Sequence, residues 1–264
     1  MIRSIRSWES YGSFLTAYPQ EAVGLAEAFA RKGALCFGTF EEEAMTGLFV
    51  FSRFEENYLV MSRWLTRSEA AGREMLAYLH QQYPGYGVEF TFRPENTLLK
   101  GLLLEAGATV FPEQRNMERM GCSASPADTS AIVLYSKAYE LPYLALHRDS
   151  DPEGETYWTG EMVTADEAGF LVLLALADGV PVGDLDLGLS DEGNNVADLY
   201  VDPAHRRKAW GRKLLEKAVE LTGDKPLTLQ VDVENDPAIR LYESMGFWFK
   251  PESSWTDAIW RIDA

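Results

Sequence analysis

Cysteine is scarce in this chain of 264 residues, with only Cys36 and Cys122. Two cysteines 86 positions apart form neither a metal-binding spacing nor a disulfide framework, and a reducing, cytoplasmic setting is the simplest expectation. Long apolar runs are missing too. The longest, residues 170–177, has eight members against the roughly 20 that a membrane-spanning helix needs. Residues 1–6 lead into polar sequence with no apolar core of a secretory signal. Aspartate is absent from residues 1–125, where 15 Glu face 12 Lys and Arg for a net of −3. Between Lys137 and Asp202 it is the bases that thin out, Lys137 and Arg148 standing against 15 acids. Residues 126–264 therefore carry −14 of the total −17. An acidic balance of this kind argues against nucleic acid as a partner, whose footprint is a basic surface.

What is present reads as ordinary globular protein. Hydrophobic residues make up 46% and charged residues 25%, which excludes a disordered or fibrous chain. The length is nearly twice a usual domain and predicts two domains or one large one. A repeat decides for two. One offset of 139 carries Arg67 onto Arg206, Ala70 onto Ala209, Gly72 onto Gly211, Arg73 onto Arg212 and Leu76 onto Leu215. It also carries Asn96 onto Asn235, Leu102 onto Leu241, Gly107 onto Gly246 and Pro112 onto Pro251, in one register without gaps. The expected division is 1–124 and 125–264, joined near 123–130, where Ser, Ala, Pro and Asp cluster.

Local pattern gives the elements of the second half. Apolar stretches over 170–177 and 180–189 flank Asp178-Gly179, a two-residue hairpin signal. In the second stretch Leu185, Leu187 and Leu189 alternate with Asp184, Asp186 and Gly188, so one face is apolar. Residues 196–201 read as a third strand. After an interruption at Pro203, Leu214, Leu215, Ala218, Val219 and Leu221 recur at helical spacing. Residues 227–233 form another strand, followed by a helix with Asp236 as N-cap, Pro237 in its first turn and Gly246 as its stop. The expected class is α/β with a mixed, mostly antiparallel twisted sheet and a right-handed parallel βαβ crossover in each domain, helices flanking it. Phe37, Phe40, Phe49, Phe51, Phe54 and Tyr58 are expected in the strand core of the first domain.

The chemistry concentrates between Val201 and Arg212. Five bases, Arg206, Arg207, Lys208, Arg212 and Lys213, crowd eight positions, with Ala209 and Gly211 among them and a helix beginning there. Free backbone N–H groups and the positive end of the helix dipole make such a start an anion cradle, and Arg adds bidentate phosphate contacts. The pattern is neither a Walker loop nor G-x-G-x-x-G, and a solvated basic helix start has the same composition. A nucleotide-using enzyme stays open at this point. The three histidines, His80, His147 and His205, show no ligand spacing, and His205 is expected at the surface. No metal site is expected.

Arg206-x-x-Ala209-x-Gly211 together with Asn235-x-x-Ala238-x-x-Leu241-Tyr242-x-x-x-Gly246-Phe247 resembles the GNAT superfamily of N-acetyltransferases. The resemblance covers about residues 130–264. It implies two tandem GNAT-like domains, with acetyl-CoA as co-substrate and a small-molecule or peptide amine as acceptor. Arg206, Arg207, Lys208, Ala209, Trp210, Gly211 and Arg212 would cradle the pyrophosphate, Ala209 replacing the usual Gly. Leu199, Tyr200 and Val201 would pair with the pantetheine arm on a strand that splays from the next one, and Asn235 would hydrogen-bond that arm. Tyr242 takes the position of a tyrosine beside the thioester sulfur, where a phenol can protonate the departing thiolate. The glutamate often found before the cradle is Asn195 here. Asp198, with Asp184 and Asp186 on the neighbouring strand, is the substitute base. The first domain keeps Arg67-x-x-Ala70-x-Gly72, Asn96 and Gly107, but has Leu103 for Tyr242, Ala108 for Phe247, and Ser68 and Glu69 for two of the bases. It reads as a degenerate copy. A non-catalytic acyl-CoA-binding module is the competing reading. The acids between Glu140 and Asp202 favour a cationic acceptor by field steering.

Overall fold

The computed structural model describes residues 1–121, 128–150, 160–165 and 169–263. The chain forms two compact units, Met1–Glu113 with Ser254–Ala264, and Gln114–Ser253. In the first unit the order is β1 (Ile2–Ser4), α1 (Gly12–Leu15), α2 (Leu25–Ala30), β2 (Ala34–Glu41), β3 (Ala44–Glu55), β4 (Tyr58–Leu65), α3 (Glu69–Gln82), β5 (Gly87–Phe92), α4 (Thr97–Glu105) and β6 (Thr109–Val110). The second unit holds β7 (Gln114–Arg119), β8 (Ile132–Leu134), α5 (Glu140–Ser150), α6 (Gly160–Ala165), β9 (Phe170–Ala177), β10 (Val180–Gly188), β11 (Asn194–Val201), α7 (Trp210–Thr222), β12 (Leu227–Asp232) and α8 (Asp236–Ser244). The last strand, β13 (Trp248–Arg261), begins in the second unit and ends in the first.

The mixed α/β architecture is the expected one, with antiparallel neighbours throughout except at one parallel pair per unit. In the first unit β1 to β4 run antiparallel in chain order, and β4 meets β5 in parallel across α3. In the second unit β8, β9, β10 and β11 do the same, and β11 meets β12 in parallel across α7. The division departs from the expected 1–124 and 125–264 at both ends. β7 pairs along its whole length with β12, which puts it in the second unit, and the end of β13 pairs with β5 and β6, which puts the last residues in the first. Long-range strand pairing, invisible to local pattern, decides both. Of the expected linker, residues 123–127 lie outside the described residues.

The repeated residues are mostly punctuation. Asn96 and Asn235 both cap a helix, each Oδ1 accepting from the backbone N–H three residues on, at 3.1 Å from Leu99 and 3.2 Å from Ala238. The cap of α8 is thus Asn235 rather than the expected Asp236, because the amide oxygen reaches the free N–H first and leaves Asp236 and Pro237 in the first turn. Gly107 and Gly246 both have φ of +83°, the left-handed stop that glycine takes without a steric penalty.

Each unit buries its own core. Phe49, Phe51, Trp64, Leu79, Phe90 and Leu103 pack in the first, with Phe49 and Trp64 edge to face at 4.6 Å. Phe37, Phe40, Phe49 and Phe51 are buried as expected, but Phe54, near the end of β3, is 69% exposed. In the second unit, Leu185 and Leu187 of β10 face Leu214, Leu215, Ala218 and Val219 of α7. A smaller cluster of Tyr143, Val163, Val172 and Leu174 lies under α5 and α6. Among the described residues, no helix is long and apolar enough to cross a membrane.

Candidate active site

The basic segment folds into an exposed, strained turn that feeds α7. Arg207 and Ala209 both sit in the left-handed region, at φ of +61° and +64°, and no side chain caps the helix. A non-glycine residue in that region costs on the order of 1–2 kcal/mol, so the turn is held against local preference. The outcome is a helix N-terminus whose first N–H groups have no intrahelical acceptor and no side-chain cap. Arg206 is steered by its Nε–H, which donates to the Val201 carbonyl at 2.9 Å, and its guanidinium lies 5.7 Å over the Tyr200 ring. Lys208 donates to the Ala204 carbonyl and Lys213 lies over the Trp210 ring. Arg212 reaches Ser244 Oγ at 2.6 Å and so ties the turn to the end of α8. Among the described residues none of these five bases forms a salt bridge with a carboxylate. Gly211 is close to Leu241 and Val201, so the start of α7 packs beside both β11 and α8. His205 is half-buried and faces Asp202 Oδ2 at 3.3 Å.

β11 reaches this turn as a splayed strand. It pairs with β12 only through Asn194, Asn195 and Val196, while it stays paired with β10 as far as Val201. Leu199, Tyr200 and Val201 therefore run beside the turn with no register partner on β12. A bulge shapes the face. Asp186 stands opposite Asp198 while Leu187 stands opposite Val196, so Ala197 is the extra residue. Without that insertion Asp198 would fall on the Leu187 side. With it, Asp184, Asp186, Asp198 and Tyr200 share one face.

That face is acidic and dry. Asp184 and Asp186 are 0% and 3% exposed. Burial, then the charges of Asp186 and Asp198, push the Asp184 carboxyl well above the usual carboxylate range. The Tyr143 hydroxyl donates to both oxygens of Asp186, at 3.2 and 3.1 Å, and His147 Nε2 stands 3.6 Å from Oδ2. Tyr242, buried on α8 in the core shared with α7, has its phenol pushed up to about 12, first by burial and then by the charge of Asp198. Asn195 is exposed on β11, and Asn235 has its Oδ1 committed to the α8 cap. Tyr143 and His147 were not singled out from sequence. They come from α5, some forty residues upstream of β10 and β11, and only tertiary packing brings them to Asp186.

The equivalent place in the first unit is closed. β4 also splays from β5, pairing only over Tyr58, Leu59 and Val60. The helix after it is capped, however: Ser68 Oγ accepts from Ala71 N–H at 3.2 Å, and Ser68 N–H itself donates to Thr66 Oγ1. Arg67 donates to the Ala17 carbonyl, and Arg73 is held between Glu69 and Glu105. A Cβ on Gly72 would fall 2.5 Å from Leu102, so side-chain packing fills the space beside the helix start. Leu103, at the position of Tyr242, is fully buried.

Comparison with known proteins bears on the same residues. The acetyltransferase (GNAT) family model matches residues 111–247. A stretch of 52 residues, 20% of the chain, is 40% identical to an uncharacterised protein of Mycobacterium leprae and spans 14% of that protein. Among solved structures, a GCN5-related N-acetyltransferase from Sphaerobacter thermophilus is similar over 100% of this chain and 96% of its own, with a TM-score of 0.63 at 13% identity. A conserved protein of unknown function from Staphylococcus epidermidis is similar over 85% of this chain and 94% of its own, with a TM-score of 0.57 at 15% identity.

Proposed function

This chain belongs to the acetyltransferase (GNAT) family, and we propose that its second unit is an acetyl-CoA-dependent N-acetyltransferase acting on an amine. The uncapped start of α7, opened by the two left-handed residues and ringed by bases that form no salt bridge among the described residues, suits the coenzyme pyrophosphate. Backbone groups of Leu199, Tyr200 and Val201 on the splayed edge suit the pantetheine arm. In the reaction the amine nitrogen bonds to the acetyl carbon and the carbon–sulfur bond breaks. The proton lost by the amine goes to Asp198, the leaving thiolate takes a proton from the Tyr242 hydroxyl, and return of a proton from Asp198 to the phenolate by way of solvent restores both groups. The products are the acetylated amine and coenzyme A. No covalent intermediate on the protein is needed, and holding both reactants in one site supplies much of the acceleration. The cysteine usage fits a cytoplasmic protein, with neither nucleic acid nor membrane as a partner.

The observation that carries this reading is an uncapped helix start beside a splayed strand, with Tyr242 buried in the core that the same helix packs on. Tyr242→Phe tests it. Turnover on an amine panel should fall by about 10²-fold or more, the usual scale for removing a general acid, with acetyl-CoA affinity unchanged. Unchanged turnover would remove Tyr242 from the chemistry. Intact acetyl-CoA binding with no turnover of any amine by the unaltered protein would favour a binding module.

A further inference from the structure

The acid face of β10 and β11 holds more carboxyl groups than one proton transfer requires. Leu185 and Leu187 are drawn to the core under α7, so Asp184 and Asp186 must project to the opposite face. There Asp184 lies between Leu174 of β9 and Tyr200 of β11, and Asp186 between Val172 and Asp198. Leu174 and Val172 belong to the apolar cluster under α5 and α6. Asp186 receives the Tyr143 hydroxyl, but neither oxygen of Asp184 meets a hydrogen-bond donor among the described residues, although the side chain is wholly buried. A buried carboxyl without a donor is costly, and buried polar groups are nearly always satisfied. Two open acceptors beside two further carboxyl groups fit a guest that carries several N–H donors and positive charge. Among the described residues no three His, Cys, Asp or Glu side chains are placed to hold a metal ion. A further acid, Asp149 at the end of α5, acts on the Tyr200 phenol and extends the negative potential along the face.

We propose that this face is the acceptor subsite and that it takes an alkyl diammonium, the reacting nitrogen against Asp198 and the second ammonium against Asp184 and Asp186. This rests on the transferase reading for the first nitrogen and on the unpartnered Asp184 for the second. The second ammonium stays protonated and brings three donors to oxygens that otherwise have too few. A carboxylate at that end of the acceptor would meet Asp186 in a water-poor setting and be rejected.

Three amines of one length separate the possibilities: 1,5-diaminopentane, pentylamine and 5-aminopentanoate. Their binding to the full chain is measured calorimetrically, with and without saturating coenzyme A, and their acetylation is followed in parallel. The diamine should bind about tenfold or more tighter than pentylamine, as expected for a charged hydrogen bond to a buried carboxylate, and 5-aminopentanoate most weakly. Asp184→Asn should bring the diamine close to pentylamine while leaving pentylamine itself within about twofold, with folding checked by thermal melting. If 5-aminopentanoate binds as well as the diamine, or the diamine no better than pentylamine, the proposal is overturned on the unaltered protein alone, whatever the variant does. Preferred diamine binding without acetylation of any of the three supports the subsite and contradicts the transferase reading.

Discussion

Burial raises the proton affinity of Tyr242 and of Asp184, on opposite faces of the sheet. The phenol, pushed up to about 12, keeps its proton throughout the range in which an enzyme works. The rate should therefore show no alkaline limb from Tyr242 between pH 8 and 10, which a pH profile of kcat checks. Its folded value lies above its unfolded one, so the stability it contributes is complete below about pH 10 and lost as the pH climbs towards 12. Asp184 follows the same sign from a lower starting point. With its carboxyl raised well above the ordinary range, the free protein loses stability as the pH rises from acid through that range. Asp184→Asn removes this titration, and the melting temperature of the variant should fall less between pH 5 and 8 than that of the parent. Cys36 is buried, and burial pushes its thiol to about 11. In a Cys122→Ser background it should resist alkylation at pH 8 in the native state and react on unfolding. Tyr242 and the three aspartates were legible as candidates, the first through its place in the family motif and the others through their place on neighbouring strands. Tyr143 and His147 were not legible, since α5 carries no signal that names the strand it packs on.

At the scale of elements, the helix start of the proposed site differs from its copy in how it is capped. Ser68 accepts one of the free N–H groups of α3, that of Ala71, while no side chain caps α7, which begins behind a left-handed Ala209. Glycine would occupy that conformation without strain. Ala209→Gly should stabilise the second unit by about 1 kcal/mol, and Ala209→Val should destabilise it and weaken coenzyme binding, as thermal melts with and without coenzyme A would show. The caps give a matched pair. Asn96→Ala and Asn235→Ala should each cost about 1 kcal/mol of stability in the unit concerned. The repeat was visible because caps and left-handed glycines are written in single residues at fixed distances. Asn235 and its copy Asn96 do the same capping work in the two units. The bulge at Ala197 was not legible, because two-residue alternation cannot reveal one inserted residue, yet it sets which face Asp198 joins.

For the whole molecule, the number of units followed from sequence, but the assignment of end strands to them did not. Pairing of β13 with β5 buries Ala258, Trp260 and Ile262 in the first unit's core. Truncation after Ser253 should therefore destabilise the unit farthest from it in sequence, with loss of exchange protection in β5 and α3. The charge asymmetry also acquires a location, since part of the acid excess lines β10 and β11 and the basic island ends at the α7 turn. On the proposed reading, one unit holds an open coenzyme cradle and the other a closed relic of it. Amide hydrogen exchange with and without acetyl-CoA tests this most directly. Added protection is expected from Arg207 to Lys213 and none from Glu69 to Arg73. Equal protection at both helix starts, or protection confined to the first unit, would contradict it.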